Sequence, residues 1–177
     1  MLIKRSVGGS LPLIAAVKKL QDEILGPRAI TRPDEKPLPT ERTSVVMFNK
    51  VALAVLGLTL QRFGDKVSDQ QEILSYASDI LIDTYAADSV VTRARNAIES
   101  NAHSASLQSD AATCFVNDAA MRIDYAARSA LAAICDGDTL QTHLAGLRKI
   151  LKVTPVNTVS IRRRLADATV EREEYIF

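Results

Sequence analysis

The 177-residue sequence predicts an all-α protein: an antiparallel helical bundle, like a four-helix bundle, with additional terminal helices. Apolar residues recur at alternating steps of three and four along several long segments, which is the spacing of one helix face. Glycine or proline separates most of these segments, and no segment shows the alternating apolar pattern of a strand. A chain of this length is enough for one domain with a buried core.

The N-terminal part predicts one helix and a linker. Ser10 is placed to cap a helix that ends at Gly26, before Pro27, and whose apolar residues are Leu13, Val17, Leu20 and Ile24. The next stretch cannot be helical throughout, because it holds Pro27, Pro33, Pro37 and Pro39. We therefore divide the chain into a connector with the first helix (1–26), a proline-rich linker (27–40) and a helical bundle domain (41–177).

The second helix is predicted from about Glu41 to Phe63, with Gly64 as its stop. One face carries Val45, Phe48, Ala52, Leu56, Leu60 and Phe63. The segment from Ser44 to Phe63 is the most apolar of the chain, but Asn49 and Lys50 interrupt it, and a membrane span needs about 18 uninterrupted apolar residues. A buried core helix is therefore the better interpretation.

The third helix has the most regular pattern, and Ser68 with Gln71 forms a capping-box pattern before it. Its predicted seam is Ile73, Ala77, Ile80, Thr84, Ala87, Val91, Ala94 and Ile98. Leu74, Leu81 and Tyr85 are expected to widen this apolar face. The pattern requires Ile80 and Val91 to be buried, and Asp79 and Arg93 to be largely exposed.

Three further helices are predicted towards the C-terminus. The fourth has a small-residue seam that favours close packing and ends at Gly137: Ala112, Val116, Ala119, Ile123, Ala126, Ala130 and Ala133. Asp138 is predicted to cap the fifth, which carries Leu140, Leu144, Leu147 and Leu151 and breaks at Pro155. The last helix starts near Asn157 and carries Ile161, Leu165, Ala168 and Val170.

Composition argues against several kinds of partner. The net charge is +1, so no strong field attracts nucleic acid or an anionic membrane. Aromatic residues are 5% of the chain and tryptophan is absent, which disfavours a base-stacking platform. Cys114 and Cys135 lie 21 positions apart on one predicted helix, roughly 31 Å, too far for a disulfide. We expect both to be core residues of a protein in a reducing compartment.

Titratable residues form no recognisable catalytic or metal-binding pattern. Glu72, Asp79 and Asp83 share one helix face, but a di-metal bundle also needs Glu-x-x-His motifs, which are absent. His103 follows Glu99 by four residues rather than three, and His143 has no acidic residue at ligand spacing. The acidic residues are therefore interpreted as a solvated face, and no residue is assigned a catalytic, cofactor-binding or metal-ligating role.

Arg162, Arg163 and Arg164 form the one basic cluster, which Glu171, Glu173 and Glu174 follow. We expect these arginines to make salt bridges to a neighbouring helix or subunit. Contact with a membrane or with an acyl-phosphate group is the alternative.

Three stretches resemble the very-long-chain branch of the acyl-CoA dehydrogenase family. The opening "MLIKRSVGGSLPLIAAVKKLQDEI" is similar to the run that links the flavin core of that family to an extra C-terminal helical domain. "DQQEILSYASDILIDTYAADSVVTRA" (69–94) and "NTVSIRRRLADATVEREEY" (157–175) resemble later parts of the same domain, the second as found in bacterial members. On this resemblance, the chain starts where the catalytic core has ended.

The resemblance implies a parent protein that is a homo-oligomeric FAD flavoprotein of fatty-acid β-oxidation and that passes electrons to an electron-transfer flavoprotein. Its catalytic base and its flavin and CoA sites lie upstream of Met1, so none is transferred to this chain. We therefore expect a cytoplasmic, auxiliary structural and assembly domain without activity in isolation. Membrane-surface contact, which the family's extra domain makes through a basic amphipathic stretch, is a minor hypothesis, because the linker 27–40 has almost no apolar face. The alternative function is a free-standing helical adaptor or regulatory module.

Overall fold

The protein is described by a computed structural model over residues 36–173 and 175–177, together with Ala16 and Lys19, which are both helical. Within these residues the elements are α-helices and one 3-10 segment, and no strand occurs, which confirms the all-α prediction. The helices are α1 (Pro39–Phe63), α2 (Gln71–Glu99), α3 (Ala105–Ile134), α4 (Gly137–Ile150) and α5 (Thr158–Arg172), with the 3-10 segment Gly64–Asp69 between α1 and α2. The rest of the predicted first helix and most of the linker lie outside the described residues.

Short connections make consecutive long helices antiparallel, as in a bundle. The ion pair between Asp83 of α2 and Arg122 of α3 joins these two helices. At the start of α1, Glu41 accepts a hydrogen bond of 2.7 Å from the hydroxyl of Thr113, near the start of α3, so α1 and α3 run in the same direction. The predicted antiparallel, four-helix-bundle-like architecture is therefore confirmed.

The core lies where α1, α2 and α3 pack against one another. Its largest fully buried side chains include Phe48, Val51 and Val55 of α1, Ile80 of α2 and Ile123 of α3. Buried alanines of α3 leave room for the neighbouring helix backbones to approach. The shorter α4 closes the bundle against α1 and α3, and Leu147 is its buried residue.

Helix α1 is the segment that sequence reasoning weighed as a membrane span. Together with the 3-10 segment it is long and apolar enough to cross a membrane by length and composition alone, and it is the one such segment among the described residues. Its face Val45, Phe48, Val51, Ala52 and Val55 is nevertheless buried against the other helices. The burial agrees with the interpretation of this segment as a core helix.

Helix ends differ from prediction at three places. α1 begins at Pro39, slightly before the predicted Glu41, because proline is tolerated in the first helical turn. Ser68 caps no helix: it lies inside the 3-10 segment, whose Val67 is buried, and α2 begins at Gln71. Gly137 does not end α3, which stops at Ile134; it is the first residue of α4, with Asp136 rather than Asp138 in the capping position.

The seam of α2 is confirmed except at its last position. Ile80 and Val91 are buried, and Asp79 and Arg93 are exposed. At the end of the helix Ala97 is buried, whereas the predicted Ile98 is half-buried. Leu81 and Tyr85 are exposed, so the prediction that they widen the apolar face is wrong.

The predicted seam of α3 holds up to Ala130. Ala133 is exposed, and Ala127, Leu131 and Ile134 are buried in addition to the predicted positions. At the C-terminal end, Asn157 caps α5 by accepting a hydrogen bond from the backbone N–H of Val159. α5 has no buried residue, and Ile161, Leu165 and Ala168 are half-buried while Val170 is exposed.

Candidate functional site

The acidic residues of α2 are only partly solvated. Asp83 is held by Arg122 of α3 through two parallel contacts, 2.9 Å from Nε to Oδ2 and 2.6 Å from Nη2 to Oδ1. The hydrogen bonds to Asp83 raise the pKa of Arg122, so this cation is fixed in place. Its guanidinium carbon also lies 5.5 Å from the centre of the Phe115 ring. Glu72 and Asp79 remain exposed and make no ion pair with the described residues.

A groove runs between the outer faces of α2 and α3, beside this ion pair. We call it the α2–α3 groove, and it is lined by Tyr76, Asp79, Ile82, Asp83, Met121, Arg122, Tyr125 and Ala126. Ile82 is 65% exposed, Met121 49% and Tyr125 68%, so large apolar and aromatic surface faces outward here. Since Arg122 is engaged by Asp83, the charged group of the groove lining without an ion pair to the described residues is the Asp79 carboxylate. Such a surface can bind another protein segment.

Sequence reasoning missed the groove because it considered only the inward seam. Met121 and Tyr125 lie four residues apart on α3, off the seam, and therefore share a second face of the helix. That spacing of two large apolar residues on an otherwise polar face was the available signal. Glu72, Asp79 and Asp83, the acidic group noted in the sequence, lie along the α2 side.

The two histidines lie on different elements of the fold. His103 lies in the α2–α3 connection, where its Nε2 is 3.0 Å from a guanidinium nitrogen of Arg172. His143 is half-buried on α4, and burial lowers its pKa because the charged ring is poorly solvated there. Within residues 36–173 and 175–177, no group of three histidine, cysteine or acidic side chains is placed to hold a metal ion.

The two cysteines behave as structural residues. Cys114 is buried and Cys135 half-buried, and both are free thiols. Burial raises the pKa of both thiols, with Arg162 partly opposing the effect at Cys114. A raised pKa keeps the thiol protonated and lowers its reactivity.

Helix α5 is attached to α3 by charged and polar contacts. Arg162 pairs with Asp118, and Arg164 contacts the two oxygens of Asp110 at 2.9 and 2.7 Å. Just before α5, the backbone N–H of Val156 donates to the side-chain oxygen of Asn117 at 3.1 Å. The predicted salt bridges of the basic cluster to a neighbouring helix are thus present for Arg162 and Arg164, while Arg163 is exposed.

Comparison with known proteins places these features in a family. A family model described as "Acyl-CoA dehydrogenase, C-terminal domain" matches residues 47–149. A probable acyl-CoA dehydrogenase of Bacillus subtilis (strain 168) is 33% identical over an alignment of 177 positions, which covers 98% of this chain and 29% of that protein. The crystal structure of an acyl-CoA dehydrogenase complexed with FAD from Bacillus anthracis superposes with a TM-score of 0.90 and 30% identity, over 99% of this chain and 30% of that one. The chain thus spans about 30% of the length of these relatives.

Proposed function

The chain belongs to the acyl-CoA dehydrogenase family, as its C-terminal helical domain, and from this we propose that it is an auxiliary domain that supports the structure and assembly of an FAD-dependent dehydrogenase. The observation that carries the proposal is the superposition of 99% of the chain on under a third of an acyl-CoA dehydrogenase. The remainder of such a relative is long enough to hold a separate catalytic core, to which this domain would attach.

The α2–α3 groove does not fit FAD. A flavin dinucleotide carries a pyrophosphate, which proteins bind with cations, glycine-rich loops and free helix N-termini. The α2–α3 groove instead presents the free carboxylate of Asp79, and its one cation, Arg122, is engaged by Asp83. A negative groove repels a pyrophosphate, so we propose that flavin binding and catalysis reside in the core and that this domain is non-catalytic in isolation.

The same family assignment supports a proposal for the reaction, electron acceptor, location and assembly of the whole enzyme. The proposed core oxidises fatty acyl-CoA in β-oxidation and passes electrons to an electron-transfer flavoprotein, and the assembled enzyme is a cytoplasmic homo-oligomer. The chemistry of the described residues is consistent with a supporting role, because the partly buried Asp83 is paired with Arg122 and burial raises the pKa of the Cys114 thiol. Membrane contact through the linker is not part of the proposal.

The test is to produce the 177-residue chain, the dehydrogenase core and the two together, and to measure flavin absorbance, sedimentation and thermal unfolding. We expect a colourless chain, a yellow core, and a core that gains thermal stability and a defined oligomeric state when the domain is present. Stoichiometric flavin in the isolated chain would overturn the non-catalytic assignment. A core that behaves identically with and without the domain would instead support the free-standing adaptor.

A further inference from the structure

We propose that the α2–α3 groove is the surface through which this domain docks on the dehydrogenase core, and that the docking segment of the core presents apolar side chains beside a lysine or arginine. The proposal rests on the proposed function, since it names the contact surface of the same assembly. Three features carry it: the exposed apolar lining, the unpaired charge and the continuity of the groove with the site of α5.

The groove exposes three large apolar or aromatic side chains on two neighbouring helices. Ile82, Met121 and Tyr125 each leave about half or more of their surface in water, and they lie side by side across two helices. Contiguous apolar surface rimmed by polar groups is typical of interaction sites, and tyrosine and methionine are enriched at such sites. The ion pair of Asp83 with Arg122 forms one wall and links the two helices.

The charge of the groove selects the class of partner. Asp83 and Arg122 neutralise each other, which leaves Asp79 in the groove and Glu72 on the same side of α2 without ion pairs to the described residues. A second copy placed symmetrically would bring the same carboxylates together, because a two-fold interface pairs a patch with itself. An anionic membrane would be repelled as well. A basic and apolar protein segment complements both the charge and the lining.

The outer face of α3 already receives one helix. Asp110, Cys114 and Asp118 lie under α5, and Met121 and Tyr125 continue the same face beyond the start of α5. Residues spaced by three and four positions share one side of a helix, so covered and open parts form a single strip. The open part is therefore shaped to receive a further segment that packs on α3 as α5 does.

The test measures binding of the full chain to the separately produced core by fluorescence anisotropy, with two matched pairs of variants. Tyr125→Ala removes an exposed tyrosine of the groove, and Tyr85→Ala removes one that is 76% exposed outside it. Asp79→Asn and Asp88→Asn are the corresponding pair of exposed aspartates on α2. All four positions are exposed, and unchanged thermal unfolding would confirm that each variant folds.

We expect Tyr125→Ala to weaken binding about tenfold or more and Tyr85→Ala to leave it unchanged. Asp79→Asn should weaken binding about threefold at low salt, with the difference shrinking at high salt, and Asp88→Asn should not. If the two variants of each pair weakened binding equally, the groove would not be the docking surface, and the proposed function would be unaffected. No association of the wild-type chain with the core would overturn both, and a dimer of the chain that Tyr125→Ala dissolves would show that a second copy is the occupant instead.

Discussion

Replacing Ile80 by alanine tests whether the seam of α2 is the centre of the core. Ile80 is 0% exposed and faces α1 and α3 from the middle of α2. The substitution removes three carbon atoms, so the lost transfer free energy is about 2.4 kcal/mol at ~0.8 kcal/mol per buried carbon. The cavity left behind adds to this figure, because the surrounding helices relax only in part.

The expected loss in the free energy of unfolding is therefore about 2.5–5 kcal/mol. The higher helix propensity of alanine offsets only about 0.4 kcal/mol of it. For a domain of this size, each kcal/mol lowers the midpoint of thermal unfolding by roughly 2–4 °C, so we expect a fall of about 5–20 °C. Circular dichroism at 222 nm during heating, with urea unfolding as a second measurement, would record the change.

Ile82→Ala is the matched control, because Ile82 lies two positions further along the same helix and is largely exposed. It removes the same atoms from a site that faces the groove, and we expect a change within about 0.5 kcal/mol. Similar losses for the two variants would refute the assignment of the inner and outer faces of α2.

Two further predictions concern α5 and α4. In a Cys135→Ser background, Asp110→Asn should speed the reaction of Cys114 with a thiol reagent several-fold, because it removes the bidentate partner of Arg164. The control Asp167→Asn on α5 should leave the rate unchanged. Raising salt to about 1 M should also speed the reaction without the aspartate variants, since salt screens exposed ion pairs. Equal rates in both aspartate variants would mean that the ion pair does not hold α5 over Cys114. Burial lowers the pKa of His143, so the unfolded chain takes up a proton near pH 6.5 that the folded chain resists, and stability should fall as the pH drops from about 7 to 5. His143→Gln should make this fall shallower in thermal unfolding measured across that range, and an unchanged slope would contradict the cause given for the shift.

The inner face of the bundle was predictable because it follows from one local rule. Ile73 to Ala94 repeat at helical spacing, and burial of such a stripe requires no knowledge of the partner helices. Helix ends were less predictable, because Ser68 has the sequence of a cap but the buried Val67 beside it holds the chain in a 3-10 turn. Tertiary packing overrode the local preference there.

The ion pairs on the outer faces of the helices could not be predicted from the sequence. Arg162 and Asp118 are separated by 44 positions, and no local spacing relates them. The same is true of Asp83 and Arg122, which belong to different helices. Charged residues with similar sequence neighbours thus differ in the structure: some form ion pairs across helices and others remain solvated. Only the register between helices, set by core packing, decides which.

This register explains why the proposed docking surface lies on one part of α3 and not along all of it. Asp110 and Asp118 are neutralised by arginines of α5, so that part of the outer face has neither free charge nor open apolar surface. Beyond the start of α5, the carboxylate of Asp83 on α2 is neutralised by Arg122 of α3 itself. The exposed groups there are apolar side chains beside Asp79. The arginines of α5 already pair with the aspartates of the first part. By the same electrostatic logic, a cation on the proposed docking segment complements the Asp79 carboxylate of the second part.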